Sequence, residues 1–167
     1  MPLLINRNAK SSRATKQDFE VEIIKETEKY FDNVMSYSEI DYIFLKSVIY
    51  VEEIIKDINL KLHLTSPNAG LEVHINQIKL LEEKGELAKK SVAYLEKIKK
   101  ARNSIAHKLD YKLENDKQVM GILKINRTDD LETKKYKIAI YFKEVINGFL
   151  FIKLGMKHLE NFILYKN

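Results

Sequence analysis

The sequence contains no cysteine, which excludes disulfide bonds and thiolate metal sites. It has only two prolines and five glycines among 167 residues, too few to separate the many short strands of a β-sandwich or barrel. No apolar run approaches the roughly 20 residues that cross a bilayer. Leu3-Leu4-Ile5 is followed at once by Asn6, Arg7 and Asn8, so we expect no secretory signal. We therefore expect a cytoplasmic protein that does not contact membranes.

Composition and length predict one folded domain. Hydrophobic residues make up 45% of the chain and charged residues 32%, which is typical of an ordered globular protein. Residues 1–15 are polar and basic without apolar periodicity, and we expect them to form a flexible arm. Residues 16–167 then form a single domain, without internal repeats.

Apolar residues recur at steps of three and four along most of the chain, which predicts amphipathic helices. Three stretches show this spacing most clearly: Phe19, Ile23, Thr27, Tyr30 and Val34; Ile40, Phe44, Ser47, Val51, Ile54, Ile58 and Leu62; and Ile138, Phe142, Val145, Phe149, Ile152, Met156, Leu159 and Ile163. Between the second and third lie a shorter predicted helix with Leu71, Ile75, Ile78 and Leu81, and one from about Glu86 to Leu109. The sequence therefore predicts an all-α, up-and-down bundle of four to five helices.

The second half of the sequence gives two further expectations, a β-hairpin and a stripe of glycines. Apolar and polar residues partly alternate over 119–125 and 136–142, which predicts a short β-hairpin inserted around 118–142. In the last helix, Gly148 and Gly155 fall on one stripe, where missing side chains would let another backbone approach. The apolar line of that helix is either part of the bundle core or the seam of a dimer.

Positive charge is concentrated in one segment. Residues 84–112 hold nine basic and three acidic residues, a net charge of +6, whereas the rest of the chain holds 20 and 21, a net charge of −1. Such a patch favours a polyanionic partner, although a solvated lysine-rich helix face has the same composition.

The most informative residues are Arg102, Asn103 and His107, on the helix that carries this charge. The predicted inward line runs Leu95, Ile98, Arg102, Ile105 and Leu109, so a guanidinium occupies a position where an apolar side chain is expected. Burying a charge unpaired costs several kcal/mol, so Arg102 must pair with an anion or line a cleft. Asn103 and His107 are four residues apart and share the adjoining face.

These residue types suit cleavage of a phosphodiester bond. A histidine can transfer protons near neutral pH, and a guanidinium can bind phosphate oxygens and stabilise charge in the transition state. Asn103 could orient the imidazole or donate to the phosphate. Neither a metal nor a cofactor is required, and His63, His74 and His158 have no metal-ligand spacing with one another.

Arg102-Asn103-Ser104-Ile105-Ala106-His107 resembles the R-x4-H signature of the HEPN superfamily (higher eukaryotes and prokaryotes nucleotide-binding). The stretch from Leu71 through Gly85 to His107 is also similar to the mannitol-operon repressor branch. The resemblance implies an all-α bundle that dimerises so that two motifs meet in one cleft. It also implies metal-independent endoribonuclease activity, with Arg102 and His107 catalytic and Asn103 supporting them.

We therefore expect a homodimeric endoribonuclease that acts as a toxin or phage-defence effector, with RNA as substrate and an antitoxin or regulatory protein as a further partner. The RNA-binding residues would be four lysines of the basic segment: Lys97, Lys99, Lys100 and Lys108. Two alternatives stay open. The chain could be a non-catalytic regulatory protein that binds a partner through the same surface, or an assembly module in which Arg102 only anchors a buried acid such as Glu52 or Glu53.

Overall fold

The structure is a computed structural model that describes residues 3–61, 68–70, 72–73, 75–76 and 86–164, without the side chains of 3–17, 61, 86–94, 152 and 155–164. Five α-helices have defined bounds within these ranges: α1 (Leu3–Met35), α2 (Ile40–Lys61), α3 (Glu86–His107), α4 (Lys117–Ile122) and α5 (Leu131–Leu164). Residues 72–73 and 75–76 are also helical. A 3-10 turn, Leu113–Asn115, precedes α4. No strand occurs among the described residues, so the predicted all-α class is confirmed.

The core lies mainly between α1, α2 and α5. α5 packs most extensively on α2 and then on α1, while α3 packs against α2. Phe44 of α2 meets Phe142 of α5 edge to face, with ring centroids 5.6 Å apart. Tyr30 of α1 and Ser47 of α2 share a hydrogen bond of 2.7 Å inside this core, so both buried hydroxyls are satisfied. α2 and α5 therefore each pack against all the other long helices.

The apolar periodicities of α1 and α2 are confirmed. Every described position of both predicted stripes is buried, from Phe19 to Val34 and from Ile40 to Ile58, while Leu62 lies outside the described residues. In α5, the first half of the predicted line faces the core, which confirms the core interpretation there: Ile138, Phe142, Val145 and Phe149 are buried. The later members of that line lie outside the described side chains.

The predicted β-hairpin is wrong. Residues 117–122 form α4, which begins after Asp116, whose Oδ1 accepts hydrogen bonds from the backbone N–H groups of Gln118 and Val119 at 3.1 Å. Residues 136–142 lie inside α5, where Ile138, Ala139 and Phe142 are buried and Tyr136 is exposed. The partial alternation was therefore a helical pattern of steps one, three and four.

Two further expectations, the N-terminal arm and the short helix after residue 70, concern segments that the structure describes only in part. The backbone of residues 3–15, expected as a flexible arm, is helical and forms the first part of α1, consistent with the absence of Gly and Pro from that segment. Of the shorter helix predicted after residue 70, residues 72–73 and 75–76 are helical and Ile75 is buried. Its other apolar positions lie outside the described residues.

Candidate active site

Helix α3 carries the motif at the boundary between core and solvent. Leu95, Ile98 and Ala101 are buried, and Ile105 packs against the core from a half-buried position. The predicted inward position of Leu109 is wrong, because α3 ends at His107 and the chain then turns, leaving the Leu109 side chain fully exposed. The motif therefore occupies the last turns of the helix.

Arg102 is held between two polar side chains. Its Nε atom lies 3.3 Å from Oε1 of Glu52 on α2, and its Nη1 atom donates a hydrogen bond of 3.0 Å to Oδ1 of Asn103. The side chain of Arg102 is 31% exposed and that of Glu52 is 19% exposed. The guanidinium is consequently fixed in orientation from both sides, while part of it still faces solvent.

The ion pair is close, although the two charges do not make a hydrogen bond. Arg102 Nε and Glu52 Oε1 are both buried atoms without a hydrogen-bond partner among the described residues. Burial raises the pKa of the Glu52 carboxyl, the positive charge of Arg102 opposes this, and the negative charge of Glu53 adds to the rise. Arg102 therefore compensates the buried carboxylate only in part.

His107 does not lie beside Arg102 in one copy of the chain. The two residues are five apart on one helix, which separates them by ~140° around the axis and ~7.5 Å along it. His107 is exposed and is the last residue of α3. Asn103, which shares a face with His107, directs its side-chain oxygen to Arg102 instead. The structure thus brings Arg102, Asn103 and Glu52 together and leaves His107 at the helix end.

A cavity of about 290 Å³ opens beside Asn103. It lies between the last half of α3 and residues 72, 75 and 76. Its lining consists of two acids, two lysines, two amides and one isoleucine: Glu72, Glu96, Lys99, Lys100, Asn76, Asn103 and Ile75. Lys99 and Glu72 form an ion pair across it at 2.9 Å. The sequence did not indicate the contribution of Glu72, Ile75 and Asn76 to this cavity, because no motif marks them.

The four predicted RNA-binding lysines have different surroundings. Lys99 is paired with Glu72, whereas Lys97, Lys100 and Lys108 are exposed. Lys100 lines the cavity beside Asn103, and Lys108 follows the end of α3. Three of the four lysines therefore present a charge to solvent near the motif.

Comparisons with known proteins found no match to this chain. No protein-family model matches the chain, and neither a curated protein nor a solved structure is significantly similar to it. In the part of the chain that the structure describes, no helix is long and apolar enough to cross a membrane, and no three His, Asp or Glu residues cluster as metal ligands.

Proposed function

We propose that this protein is a metal-independent endoribonuclease of the HEPN type, with its active site on the last turns of α3. The observation that supports it best is the setting of Arg102. Its guanidinium is oriented by Glu52 and Asn103 and remains partly open to solvent at 31% exposure. A prepositioned cation of this kind can stabilise charge on phosphate oxygens without reorganising during the reaction.

The proposed reaction is an attack of the ribose 2′-hydroxyl on the adjacent phosphorus. His107 accepts the 2′ proton, the bond between phosphorus and the 5′ oxygen breaks, and the 5′ oxygen takes up a proton. Arg102 binds the non-bridging oxygens while negative charge accumulates on them. The products are a 2′,3′-cyclic phosphate and a 5′-hydroxyl. Asn103 supports the reaction by holding Arg102 through the hydrogen bond from Nη1.

The active unit is proposed to be a homodimer. Within one copy, Arg102 and His107 project from different faces of α3. One phosphate can therefore contact an arginine and a histidine of the motif more readily when two copies of the motif face each other. Leu109, two residues beyond His107, is an apolar side chain fully exposed to solvent. An exposed apolar residue next to the proposed site is a natural contact for a second copy of the chain.

RNA binding is assigned to the basic surface around the motif. Lys97, Lys100 and Lys108 are exposed and would contact phosphates. Lys99 would contact RNA only after its ion pair with Glu72 breaks, so we assign it a smaller contribution to the affinity for RNA. A ribonuclease activity of this kind fits a toxin or phage-defence effector. An antitoxin or regulatory protein would then bind and inhibit it.

The deciding experiment is cleavage of total RNA by the purified protein in EDTA, with analysis of the fragment ends. His107→Ala should lose ~10²–10⁴-fold in rate, because that is what a placed general acid–base group contributes. Arg102→Lys keeps the positive charge but lacks the planar guanidinium that binds two phosphate oxygens at once, so it should also lose most activity. Arg127→Ala, at an exposed arginine in the loop before α5, is the matched control and should cleave normally.

Equal rates for the wild type and His107→Ala would exclude the nuclease. Growth provides a second readout, since expression of the wild type should slow growth while expression of His107→Ala should not. Cleavage that disappears with EDTA would contradict the metal-independent mechanism.

A second candidate is favoured by the contact between Arg102 and Glu52. In this alternative, the arginine anchors α3 to α2 and the chain is a helical assembly module without catalysis. The 3.3 Å ion pair across the two helices is what such an anchor requires. If Arg102→Lys unfolds the chain while the wild type never cleaves RNA, the anchor is the better account.

A further inference from the structure

A second and larger cavity lies in the loop region that follows the motif helix. Its volume is about 540 Å³, and its walls come from residues 108–118, immediately after His107. The side chains that matter here are three lysines, one aromatic ring and one aspartate: Lys108, Lys112, Lys117, Tyr111 and Asp116. We call this cavity the loop groove.

The loop groove is preformed by a set of hydrogen bonds. Asp116 caps α4 through Oδ1, and its Oδ2 accepts a hydrogen bond of 2.9 Å from the hydroxyl of Tyr111. The backbone N–H of Leu113 donates to Oδ1 of Asp41 on α2 at 3.1 Å, which ties the loop to the bundle. The positions of the Tyr111 ring and the surrounding backbone are therefore fixed before any ligand arrives.

Basic side chains outnumber acidic ones in the lining of the loop groove, with three lysines and two aspartates. Among the described residues, no carboxylate lies within 4.0 Å of the ammonium group of Lys108, Lys112 or Lys117. Asp116 has both carboxylate oxygens engaged by donors, and Asp110 is the other acid in the lining. Three unpaired lysines around a fixed aromatic ring are suited to phosphates and to a stacked base.

We propose that the loop groove binds a segment of single-stranded RNA next to the scissile phosphate, which rests on the proposed nuclease function. Lys108 lies one residue beyond His107, so a strand that leaves the active site enters the groove directly. Lys112 and Lys117 contact its phosphates, and Tyr111 stacks on a base. The groove selects single strands, because the bases of a duplex are already stacked and cannot reach the ring.

The test is binding rather than cleavage. A fluorescent single-stranded oligonucleotide with 2′-O-methyl riboses cannot be cut by 2′-hydroxyl attack, and its dissociation constant is measured by anisotropy across a series of salt concentrations. The Lys112→Gln, Lys117→Gln double variant should bind more weakly, with a salt slope lower by about 1.4, because each phosphate contact to a single strand contributes ~0.7. Lys25→Gln, Lys29→Gln, at two exposed positions of α1, is the matched control.

The outcomes separate this inference from the nuclease. An unchanged affinity and salt slope in the Lys112, Lys117 variant would overturn the groove, even if the wild type cleaves RNA. Equal affinity for a duplex of the same sequence, or no binding by the wild type, would overturn it as well. Weakened binding in that variant, with normal binding by the α1 control, supports the groove even if no cleavage is ever found, in which case only the nuclease fails.

Discussion

Arg102 on α3 and Glu52 on α2 form an ion pair with Nε and Oε1 3.3 Å apart, and neither of these two buried atoms makes a hydrogen bond among the described residues. This pair links α3, which carries the motif, to α2. It orients a guanidinium and, at the same time, holds a carboxylate whose pKa is raised by burial. The same contact thus bears on both stability and the proposed catalysis.

The first prediction is a double-mutant cycle on this pair. Arg102→Leu should destabilise the chain by about 1–3 kcal/mol, because it leaves a mostly buried carboxylate without its partner. The Arg102→Leu, Glu52→Leu double variant should recover most of that loss, since replacing both members of an ion pair by apolar residues is often close to neutral. Urea unfolding of the wild type, both single variants and the double variant measures the coupling. Additive effects would show that the two residues do not interact.

The second prediction concerns pH. Because burial raises the pKa of Glu52, the folded chain binds this proton more tightly than the unfolded chain does. Its contribution to the free energy of unfolding therefore decreases as pH rises from the ordinary value of 4.5 through the raised value. Arg102→Leu removes the charge that opposes the rise, so that variant should lose more stability than the wild type over the pH range above the ordinary value of 4.5.

Urea unfolding at several pH values across this range measures the effect. Glu52→Gln has no titrating carboxyl and provides the control, because it lacks the contribution of this group to the pH dependence. A difference between the wild type and Arg102→Leu that stays constant with pH would contradict the assignment.

The third prediction tests the dimer at the motif. Leu109→Ser should weaken self-association, because it removes an apolar side chain that is fully exposed in one copy. Stability of the fold should change little, since the residue makes no core contact. Light scattering at micromolar concentrations measures the mass. Leu131→Ser, at another exposed leucine, is the matched control and should associate as the wild type does. A wild type that is monomeric at every concentration would remove the basis for a composite site.

The fourth prediction tests whether a second backbone approaches the glycine stripe of α5 at Gly148. Gly148 lies inside α5, and a Cβ added there would meet nothing within 4 Å. Gly148→Ala should therefore raise the free energy of unfolding by about 1 kcal/mol, the difference in helix propensity between the two residues. Thermal unfolding measures this gain. A variant that is more stable yet loses its dimer would place Gly148 in an interface between two copies, whereas unchanged association would leave it a solvent-facing position.

Prediction from the sequence succeeded where one physical rule decides the outcome. Apolar residues spaced by three and four can be buried together only on a helix, which is why the buried faces of α1 and α2 follow from the order of residues alone. The placement of Arg102 beside an acid follows from the same rule, because its position falls on the inner face of α3 and a buried charge requires a partner. The +6 segment, likewise, is a property of the sequence.

Only the tertiary structure decided the rest. Short apolar runs such as 119–125 fit a strand or a helix equally well, and the cap from Asp116 together with burial of Val119 and Met120 selects the helix. Glu52 and Glu53 are neighbours with the same charge, and the rotation of α2 against α3 determines that Glu52 faces Arg102. The two cavities beside the motif depend on how distant or irregular segments meet α3, and no local pattern of residues encodes that packing.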